Sequence, residues 1–283
     1  NNLHTFYPLY LLLTESEDDV LTDRRNLIHR AIKAILAQVP TGRSVLFPIL
    51  SEFFPHKRFS RNVQTEYTSQ LLQMCKYEPM LQARILELIV SKCLEMDVEI
   101  VIEESGEVRI DPETLDDDLD FDDAFDDVTF SNNNSRGHSR QNSQINIGNN
   151  NFNGKRKQLT EATPTRIPAE VSEMADKLDS VLVLLVQFCE EQISLTAGSG
   201  DRLFQQLLSI FESTIMTIHK SKFVQFVVFF AASLHHTFAQ SVAEKLLSIT
   251  LDEKVSSSQR QSAVMYLSSY LSRATFLHVD YVR

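Results

Sequence analysis

A tract of carboxylates at residues 103–127 constrains the fold of this chain more than any other feature. Within the tract, 13 Asp and Glu side chains face a single cation, Arg109. Its net charge is −12, whereas the rest of the chain is almost neutral, with 26 cations and 25 anions. Like charges at this density repel one another and oppose compaction. The sequence therefore predicts that the tract interrupts a folded protein and divides it into two blocks.

Both blocks have the composition and periodicity of α-helices. Glycine occurs only 7 times in 283 residues, and tryptophan is absent. Apolar residues recur at the spacing of one helix face, and short connections favour antiparallel neighbours. The predicted fold is all-α. The pattern predicts helices near 22–39, 44–54, 63–77 and 81–93, a further helix after Pro168, one capped by Asp201, and later apolar stripes from 223, 238 and 263.

The helices group into units of about 35 to 45 residues, as in HEAT or armadillo repeats. The expected architecture is a HEAT-like helical-repeat solenoid of antiparallel helix pairs, interrupted by a long disordered acidic insert. An irregular helical domain is the alternative. The predicted divisions are a truncated N-terminal segment (1–21), N-terminal repeats (22–102), an acidic and Ser/Asn-rich disordered insert (103–167), and C-terminal repeats truncated at their end (168–283).

The three cysteines, Cys75, Cys93 and Cys189, lie far apart on apolar stripes. An odd number without C-x-x-C spacing indicates buried thiols in a reducing compartment, and argues against a disulfide framework or a zinc site.

The chain starts at Asn1 without a cationic leader, which favours a cut end over a signal peptide. Residues 223–243 carry no formal charge, but polar side chains interrupt them, so we expect a buried core helix and no membrane span.

Catalytic and metal-binding signatures are missing from the sequence. Glycine fingerprints for nucleotides, H-E-x-x-H and G-x-S-x-G do not occur, and the adjacent His235 and His236 should point in different directions on a helix. The aspartates from Asp116 to Asp127 imitate a calcium loop, but Phe121 replaces the glycine that the turn requires. We therefore expect no enzyme, cofactor or metal site, although a site assembled across the fold stays open.

The insert has features of regulation and of docking. Ser139 and Ser143 each follow an arginine by three residues and Thr163 precedes a proline, so all three are candidate phosphorylation sites, although any exposed tether produces such matches. Lys155-Arg156-Lys157 fits a nuclear-import patch or a plain solvated cluster. Leucines and phenylalanines alternate with the aspartates, which is typical of an acidic docking segment or of a solvated spacer.

Several stretches together resemble the RNA polymerase I-specific transcription initiation factor family. The most characteristic is His219-Lys220-Ser221-Lys222-Phe223-Val224-Gln225-Phe226. The others follow the order of the family, with the acidic insert between the third and fourth: Val39-Pro40-Thr41, Leu46-Phe47-Pro48-Ile49-Leu50 with Phe53-Phe54-Pro55-His56-Lys57-Arg58, Ile85-Leu86-Glu87-Leu88-Ile89 with Met96-Asp97-Val98-Glu99-Ile100, Lys177-Leu178-Asp179-Ser180, and Tyr266-Leu267-Ser268-Ser269-Tyr270-Leu271-Ser272-Arg273-Ala274.

The resemblance implies a HEAT-repeat protein without catalysis that binds RNA polymerase I and bridges it to promoter-bound core factors. It would start ribosomal RNA transcription in the nucleus and nucleolus, would not recognise DNA sequence or membranes, and would be a candidate homodimer when free. The family's phosphorylated serine face corresponds to Thr41 and Ser44, although Gly42 and Arg43 depart from its paired serines.

Four cations complete the predicted partner-binding set: Lys57, Arg58, Lys220 and Lys222. For Lys57 and Arg58, compensation of a helix C-terminus competes with partner contact. An acidic-loop helical-repeat adaptor, such as a transport receptor or a histone-binding chaperone, is the alternative function, and an enzyme is a third.

Overall fold

The computed structural model describes residues 19–105, 169–195, 199–218, 221–277 and 281. Within these ranges all regular secondary structure is helical, so the all-α prediction is confirmed. The described residues belong to one compact unit. The candidate phosphorylation sites, Lys220 and most of the predicted insert lie outside them.

Nine α-helices and one π-helical turn make up the described secondary structure. In chain order they are α1 (Asp19–Gln38), α2 (Gly42–Glu52), α3 (Arg61–Tyr77), α4 (Pro79–Ser105), α5 (Ala169–Leu195), α6 (Ser199–Ile210), the π turn (Phe211–Ile215), α7 (Gln225–Ser233), α8 (His236–Leu251) and α9 (Ser257–Arg273). Helix α4 continues to Ser105, beyond the predicted start of the insert at residue 103.

Successive helices pack as pairs, in agreement with the predicted helical-repeat arrangement. Helices α3 and α4 pack on each other, and both contact α5, which lies beyond the acidic tract in the sequence. One continuous core therefore contains apolar residues from both blocks. Its fully buried members include Ile85, Cys93, Leu185 and Phe204. Burial of these side chains is the main favourable contribution to folding, at roughly 25 cal/mol per Å² of apolar surface.

Helix α7 lies centrally, as its apolar composition predicts. It contacts α5, α6 and α8. Its buried residues include Val227, Val228 and Ala231, whereas Phe226 is 38% exposed. The described residues contain no helix that is both long enough and apolar enough to cross a membrane.

The end of α6 differs from the regular helix that its stripe predicts. The backbone widens into the π turn, where the N–H of Met216 donates to the carbonyl of Phe211 at 2.9 Å. Phe211 and Ile215 are both fully buried, and the Phe211 ring contacts those of Phe229 and Tyr266. Asp201 also differs from its predicted role, because α6 begins at Ser199 and Asp201 lies within the first turn.

All three cysteines are free and buried, which confirms the sequence prediction. Burial raises the pKa of Cys75 to about 12 and that of Cys189 to about 12. Burial also raises the pKa of Cys93, with a smaller contribution from Asp97. Because the thiolate is the reactive form, these side chains act as small apolar groups of the core.

His235 and His236 do not both lie on a helix, contrary to the sequence prediction. His235 has an extended backbone (φ −149°, ψ 134°) and forms the N-cap of α8, where its Nδ1 accepts from the N–H of Thr237. The two imidazole rings lie 4.7 Å apart between centroids. The first turn of a helix leaves backbone N–H groups without acceptors, and here the imidazole satisfies one of them.

A chain of polar contacts attaches α1 to α3. Glu66 accepts from the Gln70 amide at 2.6 Å and from Arg25 at 2.9 Å. The carbonyl oxygen of Gln70 therefore faces His29 Nε2, 2.9 Å away, and this nitrogen must carry the proton. His29 Nδ1 is then left to accept from the Tyr77 hydroxyl at 2.9 Å. Burial lowers the pKa of His29 and so favours the neutral form in this arrangement.

We expect the contact between α1 and α3 to weaken in acid. Burial lowers the pKa of His29, while its hydrogen bond to Gln70 opposes the shift. A folded-state pKa below the unfolded value means that the native protein binds fewer protons, so this contribution is complete above pH 6.5 and is lost as the pH falls through the folded value. Urea unfolding of the wild type and of His29→Gln, at neutral pH and at about pH 5, measures the effect. The wild type should lose more stability than the variant on acidification. Equal losses would contradict the role of His29.

Candidate partner-binding site

A buried carboxylate on α4 organises the segment that precedes α7. Asp97 is completely buried. Its Oδ2 atom accepts four hydrogen bonds: from the Ser221 hydroxyl at 2.8 Å, and from the backbone N–H groups of Lys222 (3.0 Å), Phe223 (3.0 Å) and Val224 (3.3 Å). The most characteristic stretch of the sequence is thus held by a residue more than 120 positions earlier.

Asp97 thus accepts hydrogen bonds from the turn that leads into α7. A negative charge near the N-terminal end of a helix is favoured by the helix dipole. Burial raises the pKa of Asp97, while the donors from residues 221–224 oppose the shift. The other oxygen, Oδ1, is buried without a hydrogen-bond partner among the described residues. Asp97 therefore supports the geometry of α7 at a cost in desolvation.

Gln225 stabilises the same segment from within. It is fully buried, its amide nitrogen donates to the carbonyl of Lys222 at 2.6 Å, and its Oε1 lies 3.3 Å from the Ser221 hydroxyl. The polar residues of this stretch thus fix the backbone conformation, and their role is structural.

Lys57 joins the loop between α2 and α3 to α4 and α5. Its ammonium group forms an ion pair with Glu99, and its carbonyl accepts from Lys177 Nζ at 3.3 Å. Lys177 is itself buried and pairs with Glu173 at 2.9 Å. Helix α2 ends at Glu52, so Lys57 interacts with Glu99 instead of the helix C-terminus. The effect of a helix dipole is limited to the last turn, which explains the difference.

Arg58 and Lys222 differ in their exposure to solvent. The Arg58 side chain is exposed, and its backbone N–H donates to His56 Nδ1 at 3.3 Å. Lys222 is half-buried, and its backbone N–H is committed to Asp97. Of the predicted cations that the structure describes, Arg58 is the more accessible.

Thr41 and Ser44 are exposed in a fixed turn between α1 and α2. The Ser44 hydroxyl donates to the Thr41 carbonyl at 2.7 Å. Arg43 binds both carboxylate oxygens of Glu78, at 2.9 and 3.2 Å. Gly42 is closely packed, because a Cβ atom there would lie 3.3 Å from the Leu36 side chain, which would have to move by a few tenths of an ångström. Of the two residues that depart from the paired-serine pattern, Arg43 thus holds the turn in place.

The predicted partner-binding residues contact positions near the two ends of helix α4. The turn at Thr41 and Ser44 is anchored to Glu78, immediately before α4, whereas Lys57 and Lys222 contact α4 at Glu99 and Asp97. Pro79 and Asp97 are separated by roughly 27 Å along a helix that rises about 1.5 Å per residue. A surface of this length suits a macromolecular partner better than a small ligand.

Sequence reasoning did not assign roles to Asp97, Ser221, Gln225 or Lys177. A signal was present for Asp97, which follows Ile89 and Cys93 at intervals of four on the apolar stripe of α4. A carboxylate at such a position must find polar partners. Their location 124 residues away is a property of the tertiary structure alone.

In the part of the chain that the structure describes, the surface grooves are open and partly lined by polar side chains. One open groove lies between α3 and α5, where polar side chains, including the ion pair Lys76–Glu191, line its walls. Another lies between α4 and α6, lined by residues such as Glu87 and Arg202. Within the described ranges, His, Cys, Asp and Glu form no group of three or more that suits a metal ion.

The fold defines a helical-repeat protein. The polar residues of its characteristic stretches support the architecture, and its outer helix faces are exposed to solvent. Comparison with known proteins is consistent with this class. A sequence model described as "RNA polymerase I specific transcription initiation factor RRN3" matches residues 10–283. The chain therefore belongs to this family.

Three relatives carry the name RNA polymerase I-specific transcription initiation factor Rrn3. The Schizosaccharomyces pombe protein is 25% identical over 90% of this chain and 41% of its own length. The mouse protein is 28% identical over 93% of this chain and 38% of its own length. The Saccharomyces cerevisiae protein is 25% identical over 87% and 41%, respectively. The chain thus spans about two fifths of the length of these curated relatives.

A solved structure shares the fold. The crystal structure of RNA polymerase I transcription initiation factor Rrn3 superposes with a TM-score of 0.64 at 21% sequence identity. The match covers 88% of this chain and 40% of the solved chain. At this identity the similarity establishes the helical-repeat architecture.

Proposed function

We propose that this chain acts as an RNA polymerase I-specific transcription initiation factor. It binds RNA polymerase I, bridges it to promoter-bound core factors in the nucleus and nucleolus, and performs no catalysis of its own. The observation that carries this proposal is the family match over residues 10–283. The arrangement of the described surface supports it, because the predicted contact residues extend along one helix and do not converge on a pocket.

Within this function, the turn at Thr41 and Ser44 and the loop at Arg58 are the proposed contacts with the polymerase. Both hydroxyls and the Arg58 side chain are exposed. The backbone that carries them is fixed by Arg43–Glu78 and Lys57–Glu99. A preorganised surface loses less conformational entropy on binding than a mobile one. Phosphorylation of Thr41 or Ser44 would add about two negative charges at this surface and change its affinity.

A pull-down of purified RNA polymerase I with the immobilised chain tests the proposal. The wild type should retain the enzyme, and Arg58→Glu combined with Ser44→Glu should reduce retention roughly tenfold through loss of charge complementarity. Lys254→Glu is the matched control, because Lys254 is also exposed and lies in the connection between α8 and α9. Retention of histones in place of the polymerase would instead support an acidic-loop adaptor. Failure of the folded wild type to retain polymerase would refute the proposal.

A further inference from the structure

The outer surface of α1 exposes an apolar stripe. His29 and Leu36 are buried and define the inner face of this helix. Residues of an α-helix are separated by about 100°, which places Leu27, Ala31 and Ala34 on the opposite face. All three are exposed, and Leu27 retains 66% of its surface. Beside them, Ile35 retains 58%. The inner side of α1 is attached to the protein through Ile32 and Leu36 as well as through polar contacts, so the exposed stripe takes no part in this attachment.

Cations flank this stripe. Arg24 and Arg30 lie on either side of Leu27, Lys33 follows on the same flank as Arg30, and all three are exposed. Among the residues that the structure describes, no carboxylate forms an ion pair with any of them. Helix α1 itself carries two anions, Asp19 and Asp23, and Asp23 lies one turn before Leu27, so a net positive charge remains beside the stripe. The outer face of α1 therefore combines apolar contact area with positive charge.

The excess of positive charge extends over residues 22–61, which follow the acidic residues Glu15, Glu17, Asp18 and Asp19. Residues 22–61 contain eight cations and two anions, in a chain with a net charge of −11. Three of the eight form ion pairs with residues later in the chain: Arg25–Glu66, Arg43–Glu78 and Lys57–Glu99. The cations on the outer face of α1 contribute nothing to these internal contacts, so their charge is directed to solvent.

The combination of charge and apolar area distinguishes between classes of partner. A nucleic acid backbone would match the arginines but would leave Leu27 and Ile35 against water or phosphate. An amphipathic acidic helix satisfies both, because its apolar stripe covers the leucine and isoleucine while its flanking carboxylates face the cations. The small side chains of Ala31 and Ala34 allow the axes of two helices to approach closely.

We propose that the outer face of α1, formed by Arg24, Leu27, Arg30, Ala31, Ala34 and Ile35, is a docking surface for an acidic amphipathic helix of a partner protein. This surface shares no residue with the Thr41–Ser44 turn or with Arg58. Its occupation does not depend on the contacts proposed for the polymerase, so the two proposals fail independently.

A binding experiment with a synthetic helix tests the proposal. The probe is a fluorescent peptide with leucine at positions i, i+3, i+4 and i+7 and glutamate elsewhere, and the control peptide has the same composition in scrambled order. The chain should bind the probe more tightly than the scrambled peptide, and moderate salt should weaken binding because exposed charges are screened. Arg24→Glu with Arg30→Glu should weaken binding at least roughly tenfold. Leu27→Asn should weaken it through loss of apolar contact.

Lys254→Glu with Arg273→Glu is the matched control, because it reverses two exposed charges away from α1. This variant should bind the probe like the wild type. All of the substituted side chains are exposed, and the circular dichroism of each variant should confirm an intact fold. Equal binding of probe and scrambled peptide would overturn the proposal. A folded Arg24→Glu/Arg30→Glu variant with unchanged affinity for the probe would also overturn it. So would displacement of the probe by double-stranded DNA together with unchanged binding of the probe to Leu27→Asn.

Discussion

Asp97→Ala should lower the free energy of unfolding by about 3 to 5 kcal/mol, the range typical of removing one partner from a buried charged contact. The substitution removes the acceptor shared by the Ser221 hydroxyl and the buried or partly buried N–H groups of residues 222–224. Each unsatisfied buried donor is unfavourable by about 1 to 3 kcal/mol before the surroundings relax. Equilibrium unfolding in urea, followed by circular dichroism, measures the loss.

Two further substitutions on α4 isolate the cause. Asp97→Asn keeps an acceptor oxygen but removes the charge, so it should destabilise by less than alanine does, by about 1 to 2 kcal/mol. Glu87→Ala removes an exposed carboxylate from the same helix and should change stability by less than about 0.5 kcal/mol. If Asp97→Ala and Glu87→Ala had similar effects, Asp97 would not be the acceptor that holds the start of α7.

Phe204→Ala should destabilise the protein by about 3 to 5 kcal/mol, the range found for removal of a fully buried phenylalanine. The Phe204 ring has no exposed surface and stacks on Phe238, with 4.2 Å between centroids and 5° between planes. This contact joins α6 to α8. Alanine would leave a cavity that helices fixed on several sides cannot close. Thermal and urea unfolding of the variant would measure the loss.

Phe59→Ala is the control for this prediction, because it removes the same atoms from a side chain that is 51% exposed. We expect it to change stability by less than about 1 kcal/mol. Similar effects of the two substitutions would show that the loss does not come from the core between α6 and α8, because Phe59 lies in the connection between α2 and α3.

Much of the fold is predictable from local sequence. Apolar spacing located several helices to within a few residues, as for α2 and α3, because a helix face that must be buried imposes its period on the sequence. The burial of the three cysteines followed from the same periodicity. The errors fell where a local pattern competes with packing. The π turn at Phe211–Ile215 places two large apolar side chains in the core, and His235 leaves the helix to cap it.

The candidate site was predictable only in part. The stretches that carry the family resemblance are present in the chain, but their polar residues largely form contacts within the protein. Lys57 pairs with Glu99, and Ser221 binds Asp97. Sequence similarity marks positions under constraint, and it does not distinguish a residue that contacts a partner from one that holds two helices together.

The sequence by itself determined that the protein is helical, that its helices pair with their neighbours, and that a carboxylate-rich tract separates two apolar blocks. These properties depend on local spacing and on charge density, both of which are visible along the chain. Only the tertiary structure decided that α5 packs on α3 and α4 and that Asp97 binds the segment before α7. Contacts between residues more than 120 positions apart depend on the packing of whole helices, and no local pattern encodes them.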